Sequence, residues 1–309
     1  LLRRAKKRCR PLWKTIIART FQSIGVLILC LIIYIAWFLS GEPVITTDYI
    51  AQLNHIVRPA ANQSLNAAPY YHQAAKTFEN LPKDIYELLS KTYNQATPEQ
   101  KQIIKKWLTN NKQTFDLITT GSQKPYYWQK YEGKEMISVL MPVLGNFRGM
   151  ARALRWRAWL NAEKARYQDA FKDIITCYRL GQHLKGDKTL VEQLVGTAIE
   201  SMAVETLRDI LSNHQIDSAT LAKLQQDFEQ IIADEDFVIS FEAEKLCIYD
   251  EIQRCFTEDG IIKGHISFEG FKRLSTFRQQ PLVYYLFDEF WSNWTKPLHI
   301  LFCLLYTSD

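Results

Sequence analysis

An uninterrupted apolar segment near the N-terminus constrains this chain more than any other feature. Residues 21–40 form a run of 20 without a charged side chain. A helix of that length covers roughly 30 Å, the thickness of the hydrocarbon core of a bilayer. Eight basic residues and no acid precede it within residues 1–20. The pattern predicts a basic tail (1–20), one transmembrane helix (21–40) and a separate body (41–300).

The distribution of charge predicts the orientation of this segment. Basic flanks favour the cytoplasmic side of a membrane, so we expect residues 1–20 in the cytoplasm and the body outside it. The formal net charge of +5 belongs to the tail, because the chain after residue 20 carries 30 basic residues against 33 acids, a balance of −3. The body lacks the basic excess of a nucleic-acid-binding protein, and no nucleic acid partner is expected.

A cleavable signal peptide is the main alternative for residues 21–40. Its apolar core usually spans about 7–15 residues and ends at a small-residue cleavage site. The apolar run here is longer, and its exit, Phe38-Leu39-Ser40-Gly41, fits such a site poorly. The sequence therefore favours an uncleaved anchor. The basic tail could also bind anionic headgroups, although its role in orientation alone accounts for it.

Both ends of the sequence are expected to differ from those of the native protein. The chain begins with Leu1 rather than Met, as a chain truncated at its N-terminus would. Residues 301–309 resemble a translated sequencing-adapter read-through, an artefact that would end the true sequence near Ile300. The alternative is a second membrane segment within 297–306, but its apolar run is too short to span a bilayer.

Helical periodicity dominates the body. Thr97-Pro98-Glu99-Gln100 and Thr189-x-x-Glu192 are helix start signals, and the second is expected to open a helix that runs to Leu211. Residues 44–47 form the one short strand candidate. The sequence thus predicts an all-α fold, with one N-terminal transmembrane helix followed by an α-helical hairpin array of roughly eight helices. Further helices are predicted around Phe115 and Ile118 and within residues 143–160, 167–184, 218–231, 237–256 and 268–294.

Two consecutive helices carry a spacing that resembles the tetratricopeptide hairpin. Their turn matches the Gly-x-Tyr-x-x-Ala pattern of that family, except that Ala165 replaces the glycine. Asn161 and Gln182 also depart from it, and the likeness covers about 34 residues without a second clear copy. It implies a packed hairpin and, by analogy, a protein-binding groove. The matching residues are Leu154, Ala158, Tyr167, Ala170, Ile174 and Cys177.

The chain as a whole resembles a loosely defined set of bacterial proteins that have no established activity. They share a basic tail, one membrane helix and an entry to the helical body with Asp-Tyr and Asn-Ala-Ala-x-x-Tyr. Here these elements are Asp48-Tyr49 and Asn66-Ala67-Ala68-Pro69-Tyr70-Tyr71. The resemblance implies location in the inner (cytoplasmic) membrane of a bacterium, with the body facing the periplasm or the cell exterior.

A line of arginines beside two tryptophans is the clearest candidate for an interaction face. Residues four apart on a helix are neighbours, so cation–π contacts are expected between Arg152 and Trp156 and between Arg155 and Trp159. The functional interpretation is a groove for an anion or an acidic peptide. The alternatives are solvent exposure or pairing with Glu192, Glu200 or Glu205. The face comprises Arg148, Arg152, Arg155, Trp156 and Trp159.

The cysteines are expected to remain free thiols rather than to form disulfides. Cys247 and Cys255 are eight residues apart on one predicted helix, a rise of about 12 Å that exceeds disulfide reach. Cys177 could meet either of them only through the fold.

No recognised catalytic or cofactor motif occurs. HExxH, GxSxG, Walker-type and GxGxxG patterns are missing, so no catalytic residue, metal or cofactor is predicted. We expect a membrane-anchored scaffold that binds protein partners in the bacterial cell envelope. One alternative is a hydrolase-like enzyme with a dispersed site around His72, Arg152 and Glu244, and another is an accessory subunit of a transporter.

Overall fold

The predicted all-α fold is confirmed. A computed structural model describes residues 12–38, 40–60, 62–139, 143–232, 239–258 and 264–277. These residues contain twelve α-helices and three short 3-10 helices, with two isolated β-bridges and no strand. The strand candidate at residues 44–47 is wrong, because the segment is irregular and an extended stretch without a neighbouring strand gains no ladder. Predictions that concern residues 1–11, 237–238 and 278–309 lie outside the described residues.

The helix boundaries agree closely with the start signals in the sequence. The described part of the body contains eleven helices rather than roughly eight, because residues 48–90 fold into three short ones. The helices are α1 (Leu12–Phe38), α2 (Tyr49–Val57), α3 (Ala68–Glu79), α4 (Lys83–Ser90), α5 (Pro98–Asn110), α6 (Lys112–Ser122), α7 (Val143–Ala162), α8 (Tyr167–Gln182), α9 (Leu190–Asn213), α10 (Ser218–Ile232), α11 (Glu242–Cys255) and α12 (Phe268–Phe277).

Side-chain caps fix the starts of several helices. Thr97 and Gln100 form the predicted capping box of α5, in which each side chain bonds the backbone of the other. Thr189 and Glu192 form the same reciprocal arrangement at α9. Asp217 Oδ1 accepts a hydrogen bond from Thr220 N at 2.9 Å and so caps α10. These caps satisfy backbone donors that would otherwise lack a partner at a helix N-terminus.

The chain divides into two compact units. One comprises Asp48–Tyr249, and the other comprises Leu1–Thr47 with Asp250–Asp309. In the larger unit α8 packs on α7 and α9, while α7 also contacts α9, so these three helices form its centre. Around them, α3 contacts α6 and α7, α4 and α5 contact α7, and α10 contacts α8. The residues of the predicted hairpin lie in this core, with Tyr167 half-buried and Leu154, Ala158, Ala170, Ile174 and Cys177 fully buried.

Two glycines bring α8 and α9 unusually close. A Cβ atom added to Gly181 would lie 2.6 Å from the carbonyl oxygen of Gly196. A Cβ atom added to Gly196 would lie 2.6 Å from the carbonyl oxygen of Gly181. Because real Cβ atoms do not approach backbone oxygens so closely, this contact requires glycine on both helices.

Two asparagine side chains hold an extended segment of the larger unit in place. The Asn54 amide donates to the carbonyl of Tyr131 at 2.9 Å and accepts from its N–H at 2.8 Å. Asn66 bonds the backbone of Trp128 in the same two ways, at 2.8 and 3.0 Å. Asn66 Oδ1 also accepts from Ala68 N at the start of α3. The Asn-Ala-Ala-x-x-Tyr entry therefore has a structural role, since its asparagine orders a segment 62 residues away.

The smaller unit contains α1 and α12. Within the described residues, Ile16–Trp37 is the one helical stretch long and apolar enough to cross a membrane, with 22 residues and none of its most apolar window buried. A signal sequence has the same properties, so the finding fits either an anchor or a signal. In this unit the Trp37 and His265 rings lie 4.5 Å apart, and Thr47 exchanges two backbone hydrogen bonds with the Gln253 side chain.

Candidate functional site

The tryptophans of the predicted arginine–tryptophan face lie in the core. Trp156 is 1% exposed, and its indole N–H donates to the carbonyl of Leu89 at 3.2 Å. Trp159 is 6% exposed and stacks on Tyr93 with ring centroids 5.2 Å apart. Both indoles therefore pack the N-terminal helices against α7 and leave little surface for a ligand.

The arginines of that face differ in their surroundings. Arg155 is half-buried and donates from Nη2 to the carbonyls of Leu89 and Lys91 at 3.2 and 3.1 Å. Burial lowers its pKa, and the neighbouring Arg152 adds to this effect. Arg152 itself lies over the ring of Tyr86, 5.4 Å from its centroid. Arg155 thus holds the end of α4, while Arg148 is exposed.

The dispersed residues of the alternative enzyme site have separate sets of partners. His72 bonds Gln129 Oε1 at 3.0 Å, and Arg152 contacts Tyr86. Glu244 accepts a hydrogen bond from the backbone N–H of Leu190. Nothing in these contacts joins the three side chains into one catalytic arrangement.

A polar groove lies elsewhere on the larger unit, between α8 and α10, with the end of α6 at one side. Its volume is about 330 Å³. The Tyr178 and Phe228 rings meet edge to face, with centroids 5.7 Å apart, and so place α10 beside α8. Below we call it the α8–α10 groove. The side chains that matter most in it are Gln123, Gln168, Lys172, Arg179, Lys223 and Asp227.

The charges in the α8–α10 groove are mostly uncompensated. Lys172 and Arg179 lie two turns apart on α8, and Lys223 faces them from α10. Among the described residues, none of these three cations makes an ion pair. Asp169 lies 3.9 Å from Arg166, which leaves Asp227 as the carboxylate without such a partner. The groove therefore carries a positive excess.

A buried polar cluster surrounds the start of α9, and we call it the α9 cluster. The Tyr131 hydroxyl donates to Glu192 Oε2 at 2.7 Å, and the Thr189 hydroxyl donates to the same oxygen at 2.7 Å. Burial raises the pKa of Glu244, and the nearby Glu192 charge adds to this rise. Burial lowers the pKa of Lys188, against the attraction of Glu192. The hydrogen bonds of this cluster close the N-terminus of α9.

The sequence missed most of this cluster because its contacts are long-range. The capping signal identified Thr189 and Glu192, which are three residues apart. Tyr131 is 61 residues from Glu192, and Glu244 is 54 residues from Leu190. No local pattern signals such partners.

His183 forms a second buried polar contact. Its Nε2 lies 2.9 Å from the carbonyl of Lys124, and its Nδ1 lies 2.7 Å from the hydroxyl of Tyr71. A carbonyl only accepts, so Nε2–H donates to it and Nδ1 accepts from Tyr71. Burial lowers the pKa of His183 to about 4, so the ring is neutral at pH 7.

The four cysteines in the described part of the chain, Cys30, Cys177, Cys247 and Cys255, are free thiols. Cys177 and Cys255 are buried, whereas Cys247 is half-buried rather than fully buried. Burial raises the pKa of Cys177 to about 12. A thiol with so high a pKa carries almost no thiolate at neutral pH and is chemically inert.

Comparison with known proteins identifies no relative. No family model, no curated protein and no solved structure matches this chain. In the part of the chain that the structure describes, no group of three or more His, Cys, Asp or Glu side chains could hold a metal ion. The class of the protein is thus an all-α chain with one apolar N-terminal helix.

Proposed function

We propose that this protein is a membrane-anchored scaffold of the bacterial cell envelope, which binds a protein partner through its helical body outside the cytoplasm. The α8–α10 groove is the observation that carries this proposal. A groove between helices, lined by charged and polar side chains together with the apolar Phe171, Ile175 and Leu224, suits a segment of another protein. The tetratricopeptide-like spacing of the α7–α8 hairpin favours the same use by analogy.

The membrane part of the proposal depends on α1 and its flanks. Ile16–Trp37 has the length and composition of a span, and its side chains are exposed as a lipid-facing helix requires. The basic tail before it and the acidic balance after it favour a cytoplasmic N-terminus. Anchoring would raise the effective concentration of membrane-bound partners.

Site-specific photo-cross-linking in the native bacterial cells tests the scaffold function. A photoreactive amino acid replaces Gln168, which is exposed and lines the α8–α10 groove. The matched control replaces Gln102, an exposed residue of α5 away from the groove lining. We expect a discrete protein adduct from position 168 that position 102 does not give. The proposal is wrong if neither position gives an adduct or if both give the same set.

The two alternatives receive no comparable support. The residues suggested for a hydrolase-like site have separate partners, as described above. No contact of the described residues favours a transporter subunit over other partners. An interaction protein therefore remains our proposal.

A further inference from the structure

We propose that the α8–α10 groove binds an acidic peptide segment of the partner protein, whose carboxylates pair with Arg179, Lys172 and Lys223. This inference rests on the scaffold function proposed above and specifies the ligand of the same site.

Arg179 provides the strongest argument. Its side chain is half-buried at the groove, yet it makes no hydrogen bond or ion pair within the part of the chain that is described. Its guanidinium nitrogens are not among the buried polar atoms that lack a partner, so these donors stay accessible to a ligand. A carboxylate can bind its planar fork with two parallel hydrogen bonds, which makes arginine especially suited to acidic ligands.

The spacing of the two cations on α8 suggests the form of the ligand. Lys172 and Arg179 are seven residues apart, which is about 10 Å along a helix. An extended polyproline-II-like segment covers about 9 Å in three residues and returns side chains to the same face. Two acidic residues separated by two others would therefore reach both cations.

Charge complementarity supports an acidic rather than a basic ligand. Three cations line the groove with two carboxylates, Asp169 and Asp227, so the lining keeps a positive excess on a body whose overall charge is negative. Lys223 lies on α10 opposite the α8 pair, so a bound segment meets positive charge from both walls of the groove. A basic segment would face the same charges with the opposite sign.

Selection from a random peptide library against the full chain in lipid nanodiscs tests the inference without knowledge of the partner. We expect enrichment of peptides with two acidic residues separated by two others. Binding of the best peptide should weaken at least tenfold when its acids become Gln. It should weaken to a similar extent in Arg179→Met, which keeps the apolar stem, and in Lys172→Glu. Lys105→Glu/Lys106→Glu on α5 is the matched control and should bind as the wild type does.

Each other outcome identifies which proposal fails. Enriched peptides that lack acids, or that bind Arg179→Met as tightly as wild type, would overturn the acidic ligand but leave the scaffold function standing. Equal loss in the α5 control would show that the attraction is not specific to the groove. Displacement of the peptide by millimolar inorganic phosphate would identify a simple anion site instead. Failure to enrich any peptide would count against both proposals.

Discussion

Ala165 adopts a backbone conformation that favours glycine. Its φ of 56° is the one positive value found at a non-glycine position among the described residues. It lies in the turn between α7 and α8, where the tetratricopeptide pattern has glycine. A side chain in the left-handed region costs roughly 1 kcal/mol or more, so this alanine stores strain at the tip of the hairpin.

We predict that Ala165→Gly stabilises the protein. The gain is about 0.5–1 kcal/mol, because relief of the left-handed strain exceeds the added freedom of the unfolded chain. Chemical unfolding of the full chain in detergent measures the change. Ala198→Gly is the matched control, because Ala198 is exposed within α9. This substitution should lower the free energy of unfolding by about 1 kcal/mol. A loss in both variants would contradict the prediction.

His183 should make stability depend on pH. Its pKa is about 4 in the folded protein and about 6.5 when unfolded. The unfolded chain therefore binds more protons between these values. The contribution of His183 to the free energy of unfolding is fully present above pH 6.5. It is lost as the pH falls towards 4, by up to about 3 kcal/mol.

The variant His183→Gln tests this pH dependence. It should be less stable than wild type at pH 7, because Gln cannot reproduce the two hydrogen bonds that the imidazole makes with Tyr71 and Lys124. The difference from wild type should shrink between pH 6.5 and 4, since Gln does not titrate. Unfolding curves across this range measure it, with the exposed His72→Gln as control. A constant difference across the range would contradict the assignment.

At the scale of helices, the glycine contact between α8 and α9 determines their separation. We predict that Gly196→Ala destabilises the protein by about 1–3 kcal/mol, because the new methyl group must push the helix backbones apart. Gly145→Ala is the matched control. It lies in α7 with no atom near its added Cβ, and it should gain up to about 1 kcal/mol from helix propensity. Chemical unfolding of both variants measures the two changes in the free energy of unfolding. Equal changes in Gly196→Ala and Gly145→Ala would contradict the prediction.

Elements were predictable from the sequence where their signals are local. The Thr189–Glu192 capping box lies within one turn, and the start of α9 followed directly from it. The three short helices of residues 48–90 were not predicted individually, because their apolar stripes are brief.

The contacts of the candidate sites could not be predicted in this way. Arg155 bonds the carbonyl of Leu89, 66 residues earlier, and not an acid on a facing helix. Periodicity placed Trp156 beside the arginines but did not show that its indole faces α4. The α8–α10 groove combines three helices, and only their packing reveals that Arg179 is left without a partner.

At the scale of the whole molecule, the first prediction concerns the association of the chain with the membrane through α1. We predict that the full chain stays with membranes after alkaline carbonate extraction, since one apolar span resists removal. Protease added to intact spheroplasts should degrade the body, because the basic flank of α1 favours a cytoplasmic N-terminus. A shortened product released from the membrane would show instead that α1 is a cleaved signal. A protected body would show the opposite orientation.

The paired glycines of α8 and α9 also determine where this chain can change its length. Gly186 lies in the connection between the two helices, is exposed and has open space around it. A residue inserted beside it leaves Gly181 and Gly196 opposite each other. The same insertion between Thr189 and Gly196 would rotate the start of α9 by about 100° relative to the rest. Between Gly181 and Gly196, we therefore expect insertions and deletions to be tolerated only in the connection.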